Sequence, residues 1–166
     1  ENGIDLTNWK ELLQQVEKAG IDTFYSKVTS HNLRNSVFID ITANQQVSEM
    51  YEHYLRKNIA VVTCNKIACA SSSQNYNILK NVSRKSNVPF LYETNVGAGL
   101  PIIDTLKNLI ASGDRVHKIQ AVLSGSLNFV FNKFNSSTTF CSIVAQAEKE
   151  GFTEPDPKID LSGIDV

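Results

Sequence analysis

Three short apolar segments rich in β-branched or aromatic residues, each followed by a helix-like pattern, constrain the fold of this chain most. They cover residues 36–42, 59–63 and 89–93, and their apolar character is typical of strands buried on both faces of a sheet. Strands that alternate with helices form βαβ units, which give a parallel sheet with right-handed crossovers. The sequence therefore predicts an α/β fold.

Apolar side chains at helical spacing predict the helices that flank this sheet. The first helix covers about residues 9–19, a weaker one lies around 22–30, and a third follows the first strand. The serines at 71–73 indicate the start of another helix, and a later helix ends at Gly113. Residues 1–113 are therefore predicted to form one unit.

The pattern changes after Gly113, where a second predicted unit, residues 114–166, begins. A strand is predicted at 116–123, a tight turn at 124–126 leads into a helix, and a further helix covers about 140–150. Pro155 and Pro157 then predict a tail without a helix, because proline lacks a backbone donor and restricts the residue before it.

The composition is that of an ordinary globular protein and favours no charged partner. Hydrophobic residues make up 42% of the chain, and 16 basic against 17 acidic residues leave a net charge of −1. This balance gives no electrostatic reason to expect nucleic acid or an anionic membrane. The apolar runs are far shorter than the roughly 20 residues of a spanning helix, and the N-terminus lacks a signal-peptide pattern. We therefore expect a cytoplasmic bacterial protein, or an organelle-matrix protein in a eukaryote.

The cysteines and histidines do not indicate a metal or redox site. Cys64, Cys69 and Cys141 form no CxxC pair, so we expect buried free thiols in a reducing compartment. The histidines are scattered and lack a zinc-binding spacing. These patterns argue against a metalloenzyme and against a thiol protease.

Polar or glycine-rich residues follow each predicted strand, at 42–44, 64–66 and 93–99. Ligands of open parallel α/β sheets bind beside the carboxyl ends of the strands, so these segments are candidate site residues. Gly97-Ala98-Gly99 begins like a pyrophosphate-binding motif, but Ile102 occupies the place of its third glycine. A tight strand-to-helix turn is the alternative explanation of these glycines.

Six segments, in their order and spacing, resemble the homoserine dehydrogenase family from about Val37 onward. The most characteristic are Gly-Phe-Thr-Glu-Pro-Asp-Pro at 151–157 and Asp-Leu-Ser-Gly-Ile-Asp-Val at 160–166. The other segments lie at 38–44, 61–66, 93–101 and 123–128. Residues 2–6 with Trp9 look more like the bifunctional enzymes that join an aspartokinase to this dehydrogenase.

The resemblance implies a partial Rossmann-like parallel sheet with flanking helices, leading into the start of an α+β catalytic and dimerisation region. It also implies an NAD(P)-dependent oxidoreductase that interconverts L-homoserine and L-aspartate 4-semialdehyde, in the biosynthesis of threonine and methionine. The family further suggests a homodimer or a higher homo-oligomer.

The resemblance places cofactor-binding residues at the first two strand exits. Thr42 and Ala43 match a turn that lies along the cofactor, although a simple helix-entry turn would use similar residues. Asn65 and Lys66 match the second exit, where the lysine is expected near the nicotinamide ribose and the substrate. A cation there could polarise the reacting oxygen, and the alternative is a surface lysine that follows a strand.

The third exit matches a loop that binds a monovalent cation, Na⁺ or K⁺, in the family. The expected ligands are the Glu93 carboxylate and the carbonyl oxygens of Val96, Ala98 and Leu100. Oxygen ligands suit a hard cation, and a glycine-rich turn allows carbonyl groups to converge.

The substrate site is expected in the second unit. Glu154 and Asp165 match carboxylates that grip the α-ammonium group of the substrate, and Asp160 is expected near the reacting hydroxyl as a catalytic residue. Gly125 and Ser126 match a turn whose backbone lies over the substrate. A solvated acidic loop is the alternative for the carboxylates.

Two departures from the family pattern bear on activity. Ile159 replaces an acidic residue before Asp160, and the family's catalytic lysine would lie four residues after Asp165, beyond Val166. The pyrophosphate motif is also absent, so the 166-residue chain is expected to be an inactive part of a longer enzyme. A non-catalytic dimerisation or regulatory module and a different Rossmann oxidoreductase remain the alternatives.

Overall fold

A computed structural model describes residues 7–15, 20–154 and 156–163. The strands are β1 (Val37–Asp40), β2 (Ala60–Thr63) and β3 (Phe90–Leu91). The α-helices are α1 (Trp9–Gln15), α2 (Ile21–Ser30), α3 (Gln45–Glu49), α4 (Tyr51–Arg56), α5 (Ile67–Ala70), α6 (Ser73–Ser86), α7 (Ile103–Ala111), α8 (Gly125–Lys133), α9 (Phe140–Lys149) and α10 (Pro157–Ser162). A 3₁₀ turn, Glu93–Asn95, follows β3.

The three strands form a parallel sheet in the order β1-β2-β3. Val37 pairs with Ala60 and Asp40 with Thr63, so β1 and β2 end level with each other. Val61 pairs with Phe90 in the third strand. The predicted α/β fold with a parallel sheet is therefore confirmed.

Side-chain caps define where several helices begin. The Asn44 side chain accepts a hydrogen bond from the Val47 amide at the start of α3, and the Ser72 hydroxyl accepts one from the Asn75 amide at the start of α6. Such caps satisfy backbone donors that the first helical turn leaves open. They define the first turns of α3 and α6.

The main hydrophobic core lies between the sheet and helices α4 and α6. Its buried members include aromatic and aliphatic side chains from all of these elements: Tyr51, Tyr54, Leu55, Val61, Leu79, Val82 and Phe90. The Tyr54 ring stacks on Phe38 with centroids 4.1 Å apart. This core fixes one face of the sheet.

The opposite face of the sheet differs from the prediction that the strands are buried on both faces. Ile39 is 64% exposed and Ile41 81% exposed, and Leu91 on β3 is also exposed. Successive side chains of a strand point to opposite faces, and α4 and α6 pack on the face of Val61 and Phe90. The prediction was wrong for this face of the described chain.

A second, smaller hydrophobic cluster joins α8 and α9. Val130, Ile143 and Ala147 form its buried centre, and the Phe129 ring stacks on Phe152 at a centroid distance of 4.3 Å. Helix α10 contacts α8 as well. The segments expected to hold the substrate therefore pack around their own cluster.

Residues 114–124 correct the prediction of a strand at 116–123, because they adopt no regular secondary structure. Ile119 is 68% exposed and Val122 78% exposed. A strand is stable only when another strand pairs with its backbone groups, and the described sheet consists of β1, β2 and β3.

Helix α10 corrects the prediction of a tail without a helix. Pro157 is its first residue, and the Asp156 side chain accepts a hydrogen bond from the Lys158 amide. Proline fits the first helical position because its missing N–H would have no partner there and its φ is already helical. Gly163 ends the helix with φ 73°.

Two further findings concern the predicted thiols and helices. Cys64 and Cys141 are exposed and Cys69 is partly buried, so the expectation of three buried thiols was wrong. Residues 16–19, predicted as the end of the first helix, and Asp165 lie outside the described residues. In the described ranges, no helix has the length and apolar character that a membrane span requires.

Candidate functional site

The candidate site begins with two polar side chains at the carboxyl ends of neighbouring strands. Asp40 and Thr63 are the last residues of β1 and β2 and face each other in the parallel register. Asp40 is 1% exposed and Thr63 is 3% exposed. Buried polar groups of this kind require hydrogen-bond partners, and helix α4 supplies one.

Tyr51, the first residue of α4, joins the two strand ends. Its hydroxyl donates to Asp40 Oδ2 at 2.6 Å and lies 2.7 Å from Thr63 Oγ1. Burial would raise the pKa of the Asp40 carboxyl, but hydrogen bonds from Tyr51, Thr42 and Asn65 outweigh it and hold this pKa below its ordinary value. Burial, with the bond to Asp40, raises the pKa of Tyr51. At neutral pH the pair therefore consists of a carboxylate and a protonated phenol.

The carboxylate also shapes the first strand exit, which contains the predicted cofactor residues Thr42 and Ala43. The Thr42 amide donates to Asp40 Oδ1 at 2.8 Å, and the Thr42 hydroxyl accepts a bond from the Asn44 amide at 3.2 Å. Both Thr42 and Ala43 are exposed. The turn thus presents an accessible surface on a backbone that a buried charge holds in place.

The second exit is tied to the first through Asn65. Its side-chain amide nitrogen donates to Asp40 Oδ2 and to the Asn44 carbonyl, each at 3.0 Å. The Asn65 backbone amide donates to Thr63 Oγ1 at 2.9 Å, and its side-chain oxygen accepts from the Ile67 amide at 3.1 Å. Asn65 is 2% exposed, whereas the adjacent Lys66 is exposed. The structure therefore gives the Asn65 side chain a bracing position between the two turns.

The third exit contacts the second through Asn95, whose side-chain nitrogen donates to the Asn65 carbonyl at 3.2 Å. Its side-chain oxygen, Oδ1, is buried and has no hydrogen-bond partner among the described residues. An open cleft of about 330 Å³ lies at these strand ends and includes Ile41, Cys64 and Thr94 in its lining. All three predicted exits therefore meet at one edge of the sheet.

Glu93, a predicted cation ligand, contacts the amino end of α7. Its two carboxylate oxygens accept hydrogen bonds from the Ile103 amide at 2.9 Å and the Asp104 amide at 2.8 Å. The Leu100 carbonyl, another predicted ligand, accepts a bond from the Ile102 amide. A carboxylate at a helix amino end is favoured by the open amides and by the helix dipole. The contacts assign Glu93 a role in holding the loop against α7.

The loop between Glu93 and α7 makes a tight left-handed turn, which includes the other predicted ligands, Val96 and Ala98. Gly97 has φ 72° and Ala98 has φ 51°. The positive φ favours glycine at position 97, and a Cβ atom there would also displace the end of the Ile102 side chain. This geometry agrees with the alternative explanation of the glycines, a strand-to-helix turn.

The predicted substrate residues lie in the second cluster. The Ser124 hydroxyl caps α8 through the Leu127 amide at 3.0 Å, and it lies 3.0 Å from the Ser126 hydroxyl. Gly125 and Ser126 open this helix, where Ser126 is buried. The cap fixes the turn that the resemblance places over the substrate.

Asp160 and Glu154 are in contact, and the contact joins the Asp160 side chain to the Glu154 backbone. Asp160 is 3% exposed, and its Oδ2 accepts a hydrogen bond from the Glu154 amide at 2.9 Å. The Glu154 side chain is exposed. Asp160 therefore braces the loop that presents Glu154, and the third predicted carboxylate, Asp165, lies outside the described residues.

The sequence interpretation missed Tyr51 as a member of the site. Tyr51 lies in the helix that was predicted after the first strand, where apolar residues at helical spacing (Val47, Met50, Tyr54 and Leu55) explain it as a core residue. Asp40 and Thr63 lie in predicted apolar strands. An acidic residue at the end of a buried strand is the signal that could have revealed the network, because a buried carboxylate needs donors. The identity of the donor depends on tertiary packing.

Two family models match consecutive parts of the chain. The model for the homoserine dehydrogenase NAD binding domain matches residues 5–93, which is more than half of the 166 residues. The model for homoserine dehydrogenase matches residues 101–166.

Individual relatives align over nearly the whole chain. It is 44% identical over 166 residues to the chloroplastic bifunctional aspartokinase/homoserine dehydrogenase 1 of Zea mays. The alignment covers 99% of this chain and 18% of the maize protein. It is 37% identical over 169 residues to the homoserine dehydrogenase of Schizosaccharomyces pombe. That alignment covers 98% of this chain and 45% of the yeast protein.

A solved structure has a similar fold. It is a hyperthermophilic archaeal homoserine dehydrogenase in complex with NADPH, with a TM-score of 0.76 and 29% identity, covering 98% of this chain and 52% of that one. The chain thus spans only 18% to 52% of the length of these three proteins. The two family models and the relatives agree, and the chain belongs to the homoserine dehydrogenase family.

Proposed function

We propose that this chain forms the strand-end part of the cofactor site and part of the substrate site of an NAD(P)-dependent homoserine dehydrogenase. Such an enzyme interconverts L-homoserine and L-aspartate 4-semialdehyde. The observation that carries the proposal is the meeting of three hydrogen-bonded strand exits at the carboxyl edge of one parallel sheet, which is where open α/β sheets bind ligands.

The residues at this edge fit a nicotinamide cofactor. Thr42 and Ala43 are exposed on a braced turn, and the exposed Lys66 lies on the neighbouring turn, so both turns are accessible to a bound cofactor. The archaeal relative is in complex with NADPH. A nicotinamide cofactor bound at this edge would supply the hydride chemistry of the reaction.

Lys66 is the residue that we propose to act beside the reacting carbon. It follows the buried Asn65 directly, and the Ile67 amide after it is bonded to the Asn65 side chain, so its backbone is held on both sides. An ammonium group placed there would stabilise the oxygen of homoserine as its proton leaves, and would polarise the aldehyde oxygen in the reverse direction.

The α-ammonium group of homoserine needs carboxylates, and we propose that Glu154 and Asp165 supply them. Glu154 is exposed while its amide is held by the buried Asp160, which positions an accessible negative charge without letting the loop drift. Charge-assisted hydrogen bonds of this type are about twice as strong as neutral ones. Gly125 and Ser126, at the capped start of α8, would form the wall over the substrate.

A monovalent cation at Glu93, Val96, Ala98 and Leu100 stays a prediction. The Glu93 carboxylate already accepts hydrogen bonds from two amides of α7, and the Leu100 carbonyl already accepts one from the Ile102 amide. These bonds close the loop without an ion, so we propose no catalytic role for the cation.

Wider features follow from the proposal and stay predictions as well. They are the division into units at 1–113 and 114–166, a homodimer or higher homo-oligomer, a place in threonine and methionine biosynthesis, and a cytoplasmic location. Chloroplast proteins are among the similar sequences, so an organelle location stays open beside the cytoplasmic one.

The test is the absorbance change of NAD(P)H with L-homoserine, measured on the full-length protein that contains this segment. Replacing Lys66 by Met should lower kcat by about 10²- to 10⁴-fold, the usual contribution of a group that transfers or stabilises a proton. Replacing Glu154 by Gln should raise KM for homoserine by about tenfold or more, the value of a hydrogen bond to a charged group. A wild-type protein that oxidises another hydroxy acid and ignores homoserine would instead favour a different oxidoreductase.

A further inference from the structure

The phenol of Tyr51 lies at the centre of a chain of hydrogen bonds whose direction can be worked out. Asp40 is an acceptor, because its pKa lies below the ordinary value, and the Tyr51 hydroxyl donates to it at 2.6 Å. A phenol has one proton, so the Thr63 hydroxyl, 2.7 Å away, must donate to Tyr51. Thr63 in turn accepts the bond from the Asn65 amide at 2.9 Å.

The two ends of this chain are the two predicted cofactor turns. At one end the Asp40 carboxylate receives the Thr42 amide at 2.8 Å, and at the other end Thr63 receives the Asn65 amide. The Asn65 side chain closes the arrangement by donating to the same carboxylate oxygen as Tyr51. The positions of Thr42, Ala43 and Lys66 therefore depend on a hydroxyl group that is itself 0% exposed and cannot touch a ligand.

We infer that Tyr51 is a positioning residue for the cofactor: its hydroxyl sets the spacing of the Thr42–Ala43 turn and the Asn65–Lys66 turn. The inference rests on the proposed function and adds a residue that acts through others. Without the hydroxyl, Thr63 loses its acceptor and Asp40 loses one donor. The two turns can then move apart, although the Tyr51 ring still packs against Phe90 at 6.0 Å between centroids.

The alternative is that the hydroxyl contributes only to the stability of the core. The same core offers a matched control, because the Tyr76 hydroxyl bonds the Tyr92 hydroxyl at 2.6 Å. Tyr76→Phe removes a hydrogen bond of equal length that involves neither turn. Tyr51→Phe and Tyr76→Phe therefore compare the loss of one phenol hydroxyl at the network with the same loss elsewhere.

The experiment uses the full-length dehydrogenase and the two variants. Dissociation constants for NADPH and NADH, steady-state constants and thermal midpoints are measured for each protein. We expect Tyr51→Phe to raise the dissociation constant of the preferred cofactor by about tenfold, in line with one bond to a charged group. kcat at saturating cofactor should also fall, because Lys66 lies on one of the two turns that the network holds, whereas Tyr76→Phe should leave both cofactor affinity and kcat unchanged.

A second measurement does not require turnover. Amide hydrogen exchange at Thr42 and Asn65 should be faster in Tyr51→Phe than in wild type and unchanged in Tyr76→Phe. Thr63→Val breaks the same chain of bonds, so the double variant Tyr51→Phe, Thr63→Val should bind cofactor no more weakly than the worse single variant, as expected for groups that act as a unit.

The outcomes separate the two proposals. If wild-type protein binds cofactor and Tyr51→Phe binds it equally well, with unchanged exchange at the two turns, the positioning role is overturned and the proposed function stands. Equal losses of affinity in Tyr51→Phe and Tyr76→Phe would also overturn it. A wild-type protein that binds neither NADH nor NADPH would overturn the proposed function, and the positioning role with it.

Discussion

Asp40 is the charged residue on which the strand-end network depends, so its titration should be visible in the stability of the protein. Its folded-state pKa is lowered from an ordinary value of 3.8. A carboxyl of this kind stabilises the fold fully above the ordinary pKa, and the contribution is lost as the pH falls through the lower folded-state pKa. The relevant window therefore lies below pH 3.8.

We expect Asp40→Asn to reduce the free energy of unfolding at pH 7 by about 2–3 kcal/mol, the value of bonds to a charged group. An asparagine would direct its own N–H₂ group at a donor, since Tyr51, Thr42 and Asn65 all donate to this side chain. Urea unfolding at a series of pH values measures the difference from wild type. The difference should shrink as the medium is acidified below pH 3.8, and a difference that stays constant down to pH 2 would contradict the assignment.

Two substitutions at Asp160 distinguish a catalytic role of this residue from a positioning role. If its role is to accept the Glu154 amide, Asp160→Asn should keep most of the affinity for homoserine, because the amide oxygen can still accept that bond. Asp160→Ala should then raise KM by about tenfold through the loss of the bond. If Asp160 takes part in proton transfer, kcat should instead collapse in both variants, and steady-state kinetics of the full-length enzyme distinguish these results.

At the scale of a secondary-structure element, Glu93 links the loop after β3 to helix α7. We expect Glu93→Gln to lower the free energy of unfolding by about 1 kcal/mol, the usual value of a helix cap, because glutamine accepts one helix amide but cannot accept both. Thermal unfolding in Na⁺, K⁺ and choline buffers measures the effect. The loss should be the same in all three buffers, and a loss that disappears in choline would show that Glu93 acts mainly as an ion ligand.

The elements that the sequence predicted well are those with a local signal. The side chains of Asn44 and Ser72 are of the type that caps the amino ends of helices, and the apolar segments around Phe38 and Val61 are typical of strands. The strand predicted at 116–123 failed because alternation alone does not supply a partner strand. Helix α10 was missed because proline was counted as a breaker, although Pro157 occupies the one helical position that suits it.

The site shows the same division between local and tertiary information. The three strand exits could be predicted from their order along the chain, since parallel strands end at one edge. The bond from Tyr51 to Asp40 spans 11 positions, and the helix pattern treats that tyrosine as apolar. The burial of Asp160 and the bond from Glu93 to α7 likewise depend on packing that spacing does not contain.

At the scale of the whole molecule, the sheet has one packed face and one open apolar face. Ile39 and Ile41 are 64% and 81% exposed on the open face, and exposed apolar patches favour association. We expect the 166-residue chain, produced by itself, to bind a hydrophobic dye and to show a mass that rises with concentration in light scattering. Dye fluorescence and a dilution series measure both effects.

Replacing Ile39 and Ile41 together by Thr should reduce dye binding and self-association without lowering the thermal midpoint, since threonine keeps strand propensity. The control is Val61→Thr, on the packed face, where Val61 is 0% exposed. This change should lower the midpoint, because it buries a hydroxyl in an apolar core. Unchanged dye binding in the double variant would show that the open face is not the surface that binds the dye.

The level ending of β1 and β2, with Asp40 opposite Thr63, also bears on how the chain avoids misfolding. A slip of one residue between the strands would turn every side chain of β1 to the other face. The carboxylate would then turn to the open face, and the buried donors of Tyr51 and Asn65 would lose their acceptor, at a cost of about 1–3 kcal/mol for each unsatisfied group. The same slip in a sheet made only of valine and isoleucine would cost far less free energy. The polar pair Asp40–Thr63 therefore helps to select the native register of β1 and β2.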